Sequence, residues 1–184
     1  MRTSFLTSIV ALFGLALSSP VDTALAARAA PSFYPTLVIN ISSPDRGSVS
    51  GDVYVHRSTA GGIQYQTNSL IAFPIPSGYS GKTCSFSFNG GWPISGTPNS
   101  KRVQLFSVGG PITATNTYTK RPYRNVWYGS FRVSDDGATA TWDGPTPTFP
   151  CPAAATTLGF EVVPEGDFDE VEWGMDDGLA IVVL

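Results

Sequence analysis

Histidine occurs once in the 184 residues, as His56, and cysteine twice, as Cys84 and Cys151. Zinc catalysis draws on two or three imidazoles or on closely spaced thiolates, and neither pattern is present. A serine hydrolase would have to use His56 as its base, yet no Gly-x-Ser-x-Gly elbow supplies a nucleophile. His56 therefore reads as a polar residue at a strand end. Charge is also scarce, with 11 Lys and Arg against 14 Asp and Glu. A formal net charge of -3 gives nucleic acid no general attraction. Beyond the N-terminus no segment is long and apolar enough to cross a bilayer.

Arg2 followed by the apolar run Phe5 to Leu17 has the layout of a secretion signal, too short for a membrane span. Ala24-Leu25-Ala26 offers small residues for cleavage after Ala26, and Ala16-Leu17-Ser18 is an alternative. Neither resulting N-terminus is the histidine on which a copper oxygenase depends. The expected organisation is a signal peptide over 1–26, a flexible arm over 27–35 and one domain over 36–184. Secretion into an oxidising compartment permits a bond between Cys84 and Cys151. Two buried free thiols or an intermolecular bond are the alternatives.

No helical periodicity follows the N-terminal run. Gly and Pro punctuate segments rich in Val, Ile, Thr and aromatics, which predicts many short strands and an all-β, antiparallel sandwich of jelly-roll type. The expected strands are 36–41, 49–56, 63–66, 70–73, 84–88, 103–108, 126–133, 138–142, 157–163, 170–173 and 179–183. Loops are expected at 44–47, 58–62, 74–81, 89–100 and 143–150. Cys84-Ser85-Phe86-Ser87-Phe88 alternates strictly, directing Cys84, Phe86 and Phe88 inward. Asp136-Gly137 marks a hairpin turn. Every Lys and Arg precedes Ser134, whereas the acids concentrate between Asp135 and Asp177, so the two halves attract each other.

The order of several short motifs resembles the But-two-type C-terminal domain of secreted fungal proteins. They are Phe73-Pro74-Ile75-Pro76, Gly81 to Phe88, Val103 to Ile112, Thr117-Tyr118, Tyr128-Gly129-Ser130-Phe131, Pro150-Cys151-Pro152, Leu158-Gly159-Phe160-Glu161 and Gly178-Leu179-Ala180-Ile181. The resemblance spans roughly residue 64 to the C-terminus. It implies a secreted fungal β-sandwich bridged by Cys84 and Cys151. The family takes its name from a protein bound to a ubiquitin-like activating enzyme, and no general catalytic activity comes with it.

Three places are candidates for chemistry or binding. The stretch Thr117 to Tyr128 interleaves bases with aromatics, and Tyr118, Tyr123 and Trp127 could stack on sugar rings, with the cations holding an acidic glycan. The bland alternative buries Trp127 in the core and leaves the bases on a solvated loop. Trp92, in Asn89-Gly90-Gly91-Trp92-Pro93, is the aromatic most expected on a surface loop. The acidic run 165–177 offers Asp167, Asp169, Asp176 and Asp177 to a hard cation, or two carboxylates to glycoside hydrolysis; it also reads as a solvated face. Asn40-Ile41-Ser42 is an N-glycosylation sequon. The expectation is a secreted, non-enzymatic recognition protein without a cofactor. It would act in the cell wall or outside the cell, on wall polysaccharide or an extracellular protein. A glycan hydrolase using acids of the 165–177 run, or an effector binding a host protein, are the alternatives.

Overall fold

The computed structural model describes residues 30–90 and 100–184. The expected signal segment and Trp92 lie outside them. The strands are β1 (Ser32–Phe33), β2 (Leu37–Ser42), β3 (Arg46–Ser50), β4 (Asp52–Ala60), β5 (Ile63–Ile75), β6 (Thr83–Asn89), β7 (Arg102–Val108), β8 (Arg124–Val133), β9 (Ala140–Trp142), β10 (Thr148–Pro150), β11 (Thr156–Pro164), β12 (Asp169–Gly174) and β13 (Gly178–Val183). No helix occurs among the described residues. The strands form two antiparallel sheets, as expected for an all-β chain. The smaller runs β1-β13-β6-β10. The larger runs β12-β4-β5-β11-β7-β8-β9, with β2 joined to β5 and carrying β3.

Side-chain alternation brings the apolar residues of both sheets together. Cys84 and Phe86 point inward from β6, paired with Val183 and Ile181 of β13. Phe86 anchors an aromatic cluster, with the rings of Tyr128, Trp142, Phe149 and Phe160 centred 5.3–5.8 Å away. Edge-to-face and tilted contacts of this kind add to the area each ring buries. Trp173 is fully buried against Phe88 and Phe131. Its indole occupies the space a side chain at Gly178 would need, and Gly178 adopts a φ of +63°. The disulfide joins Cys84 in β6 to Cys151 just beyond β10. The Cys151 N–H donates to the Lys82 carbonyl at 3.0 Å, and Cys84 lies opposite Phe149. Across a separation of 67 residues, the bond removes about 4 kcal/mol of unfolded-state freedom in the chain-entropy model.

Four expectations about elements are corrected. The expected strand 49–56 is two, because the chain turns at Gly51 between β3 and β4. The arm contains β1, which pairs with Ile181 and Val182, and Phe33 packs edge-on against Tyr79. The expected loop 143–150 ends in β10, which closes one edge of the small sheet. Residues 63–66 and 70–73 belong to one strand of thirteen residues, β5. Its polar centre, Thr67-Asn68-Ser69, is engaged within the protein. Thr67 Oγ1 meets Ser42 Oγ at 2.9 Å, and Ser69 Oγ lies 2.6 Å from Asn40 Oδ1 and 2.9 Å from the Tyr54 carbonyl.

The larger sheet also buries part of its outer face. Ile39, Ile41 and Leu70 form a second apolar cluster there with Leu37, Val108, Ile112 and Tyr118. The segment 109–123 lies across them as a strap. Gly159 makes room for it, since a Cβ there would come within 2.8 Å of Val108 and 3.1 Å of Ile112.

Candidate binding surface

Beneath the strap sits a carboxylate that is fully buried, Glu161 of β11. Its oxygens accept hydrogen bonds from Asn68 Nδ2 at 2.7 Å and from Arg124 Nε and Nη2 at 2.7 and 3.1 Å. Arg121 Nε completes the set at 3.2 Å. The chain of polar contacts continues from Asn68 Oδ1 to Gln66 Nε2 at 2.7 Å. Gln66 Oε1 in turn accepts from Arg57, whose Nη1 reaches the carbonyls of Glu165 and Gly166. Burying a charge without such partners is prohibitive, so strap and sheet hold one another. Burial alone lowers the Arg124 pKa, but its hydrogen bond to Glu161 and that carboxylate's charge more than offset this and leave it raised.

Strap and β2–β3 turn are tied a second time at Asp45. The Thr119 N–H donates to Asp45 Oδ1 at 2.9 Å, and the Tyr118 N–H donates to the Arg46 carbonyl at 3.2 Å. The Thr117 side chain and the Thr119 backbone, through their hydrogen bonds, hold the exposed Asp45 carboxyl at a pKa of about 2.

The expected stacking residues separate. Tyr118 is half-buried in the outer apolar cluster, with the Arg121 guanidinium 4.6 Å above its ring. Tyr123 is 68 % exposed at the end of the strap, where the Gly109 N–H donates to its carbonyl at 2.9 Å. Trp127 is 58 % exposed, which overturns the alternative that buried it in the core. The cause is a bulge. Leu105 pairs with Gly129 and Phe106 with Trp127, so β8 carries one extra residue at this point. Tyr128 takes the inward place, against Phe86, Phe149 and Phe160. The neighbouring Trp127 is thereby turned out. The cations also differ from expectation, since Arg121 and Arg124 are ion-paired with Glu161.

Trp127 lines a groove of about 540 Å³ together with Arg102, Gln104, Ser130, Asp143 and Glu165 among others. Gln104 pairs with Ser130 across β7 and β8. Arg102 lies between two carboxylates, bonded to Asp143 and 3.5 Å from Glu165. Backbone bonds hold the trio, from Asp143 N to the Ser130 carbonyl and from Glu165 N to the Arg102 carbonyl.

The acidic run is dispersed. Asp169 is buried and accepts hydrogen bonds from Ser100 Oγ and the Gly166 N–H, capping the turn that carries exposed Asp167. Asp176 and Asp177 occupy the turn beyond the other end of β12, roughly 20 Å along the strand direction. The four do not share a site. Among the described residues no group of three or more His, Cys, Asp and Glu is placed to hold a metal ion. Glu170 and Glu172 stand opposite His56 and Tyr54 on β4. Tyr54 Oη donates to Glu170 at 3.1 Å, and its ring stacks on His56. Burial, then the charge of Glu170, pushes the Tyr54 phenol up to about 12. Burial, then the charges of Asp52 and Glu170, raises the Glu172 carboxyl. The sequon residue Asn40 is half-buried, accepting from Ser69 and the Tyr54 N–H and donating to the Asp52 carbonyl at 3.1 Å.

Sequence reasoning missed Glu161 and the groove. The signal for Glu161 was a single acid inside Phe160-Glu161-Val162-Val163. For the groove it was the polar alternation Arg102, Gln104 in β7, opposite a strand containing tryptophan.

Together these features define a disulfide-pinned antiparallel β-sandwich whose large sheet carries a strap and an open groove on its outer face. Residues 33–174 match the family described as Ubiquitin 3 binding protein But2 C-terminal domain, and the chain belongs to that family. No curated protein matches the chain.

Proposed function

We propose that this is a secreted, non-enzymatic recognition protein that works at the cell wall or outside the cell. The observation that carries the reading is Trp127, an indole more than half exposed on strand β8 of a domain whose other strand-borne aromatics largely face inward. Exposed aromatic faces offer apolar area to a ligand at low cost in side-chain freedom. Tyr123, further along the same segment, enlarges the surface. The apolar N-terminal run and the disulfide support secretion, and the family's description as a binding protein supports recognition rather than catalysis.

The test is retention of the purified chain on insoluble wall polysaccharide, compared with the double variant Tyr123→Ala, Trp127→Ala. Wild type is expected in the pellet and the variant in the supernatant. A wild type that stays soluble with every polysaccharide would refute the wall reading. A protein partner is the second reading, favoured by the family's description; crosslinking in culture medium, lost with the same double variant, would support it.

A further inference from the structure

We propose that the groove lined by Trp127 is a subsite for an uncharged sugar chain. This rests on the recognition reading above and assigns its ligand class. A pyranose ring has an apolar C–H face and an equator of hydroxyls. An indole lying beside amide, hydroxyl and charged planar side chains meets both. Trp127 supplies the platform, while Gln104, Ser130 and the Arg102–Asp143 pair supply donors and acceptors along one side. The volume falls in the range of small-ligand sites, and the exposure of Trp127 leaves the groove open to solvent, so a polymer can pass through without its end being needed.

Charge decides between neutral and acidic sugars. The groove holds one guanidinium and two carboxylates, which leaves it one negative charge. The other arginines of the strap region, Arg121 and Arg124, are turned to Glu161. An acidic glycan would find no unpaired cation there and would face Asp143 and Glu165. A neutral chain meets no such opposition, and its binding should be nearly indifferent to salt.

The experiment is affinity electrophoresis and calorimetry of the full secreted chain with a soluble neutral β-glucan and with polygalacturonate, each at low and high salt. The expected result is binding to the glucan, unchanged by salt, and none to the polyuronate. Trp127→Ala should weaken glucan binding about tenfold or more, as truncating a central aromatic contact does. Gln104→Ala should weaken it less, Trp127→Phe should fall between, and Tyr123→Ala, which does not line the groove, should weaken it least. Unchanged melting temperatures establish that the variants are folded. Tighter binding to polyuronate, or Trp127→Ala binding as wild type, overturns the groove assignment. Loss of glucan binding in Tyr123→Ala alone overturns the groove but leaves recognition standing. Failure of the wild type to bind any polysaccharide, soluble or insoluble, overturns the groove assignment and the wall reading together.

Discussion

Removing the Arg124 guanidinium should destabilise the domain far more than loss of a surface ion pair. Glu161 is fully buried, and Arg124 provides two of its bonds, at 2.7 and 3.1 Å. Hydrogen bonds to a charged group each contribute about 1.5–3 kcal/mol, and breaking a buried pair by removing one partner costs about 3–5 kcal/mol. The Arg124 side chain is itself 35 % exposed, so water can enter where it stood and replace part of the loss. Arg121 and Asn68 also remain, at 3.2 and 2.7 Å. The expected cost of Arg124→Ala is therefore about 3 kcal/mol, at the lower end of that range. Glu161→Gln keeps an acceptor for Asn68 and frees two partly exposed arginines to hydrate, so about 2 kcal/mol is expected. The double variant should cost no more than about 3 kcal/mol, leaving a coupling of about 2 kcal/mol between the sites. Urea unfolding followed by tryptophan fluorescence, with the disulfide intact, measures all three. In a melt, Arg124→Ala should lie roughly 6–12 °C below wild type. A cost below about 1 kcal/mol, the value of an exposed pair, or strict additivity in the double variant would refute the buried-clamp argument.

Acid should loosen the strap at Asp45. Its folded pKa of about 2 lies below the unfolded value near 4, so its contribution is complete above the unfolded value and is lost as pH falls toward 2. Hydrogen exchange at the Thr119 amide should speed up over that interval, and Asp45→Asn should remove the dependence; an amide equally protected at pH 2 and 5 would contradict this. Cys84→Ala with Cys151→Ala should cost about 4 kcal/mol, read as a shift in the urea midpoint; a shift below about 1 kcal/mol would show that the small sheet does not need its staple. Asn40→Ala should cost about 1 kcal/mol, because the Asp52 carbonyl loses the Asn40 donor while the Ser69 hydroxyl and the Tyr54 backbone keep each other as partners. Peptide mapping of folded protein from a secreting eukaryotic host should find Asn40 unmodified, and a glycan there would contradict its inward engagement.

Fold class was legible because it depends on patterns that survive small errors. Turn residues every few positions and the alternation of Cys84, Phe86 and Phe88 define strands and an inward face wherever their exact ends fall. The functional surface depends on two features that such patterns misread. Polarity in the middle of β5 signals a loop, yet Asn68 and Ser69 are interior because their partners, Glu161 and Asn40, come from strands distant in sequence. Basic residues in the strap and at the start of β8 signal a solvated or ligand-holding patch, yet two of the arginines, Arg121 and Arg124, serve that same buried acid. Trp127 shows the other limit. Side-chain direction in a strand has a period of two, so a single extra residue exchanges inside and outside for everything beyond it. The bulge at Tyr128 leaves no mark in composition, because a tyrosine and a tryptophan are equally good core residues by hydropathy. What separates them is the place each takes across the bulge: the Tyr128 ring packs on Phe86, Phe149 and Phe160, and Trp127, opposite Phe106, is left outside. The candidate site thus follows from which of two adjacent aromatics the core accepted, and that choice is made by the register of β7 on β8.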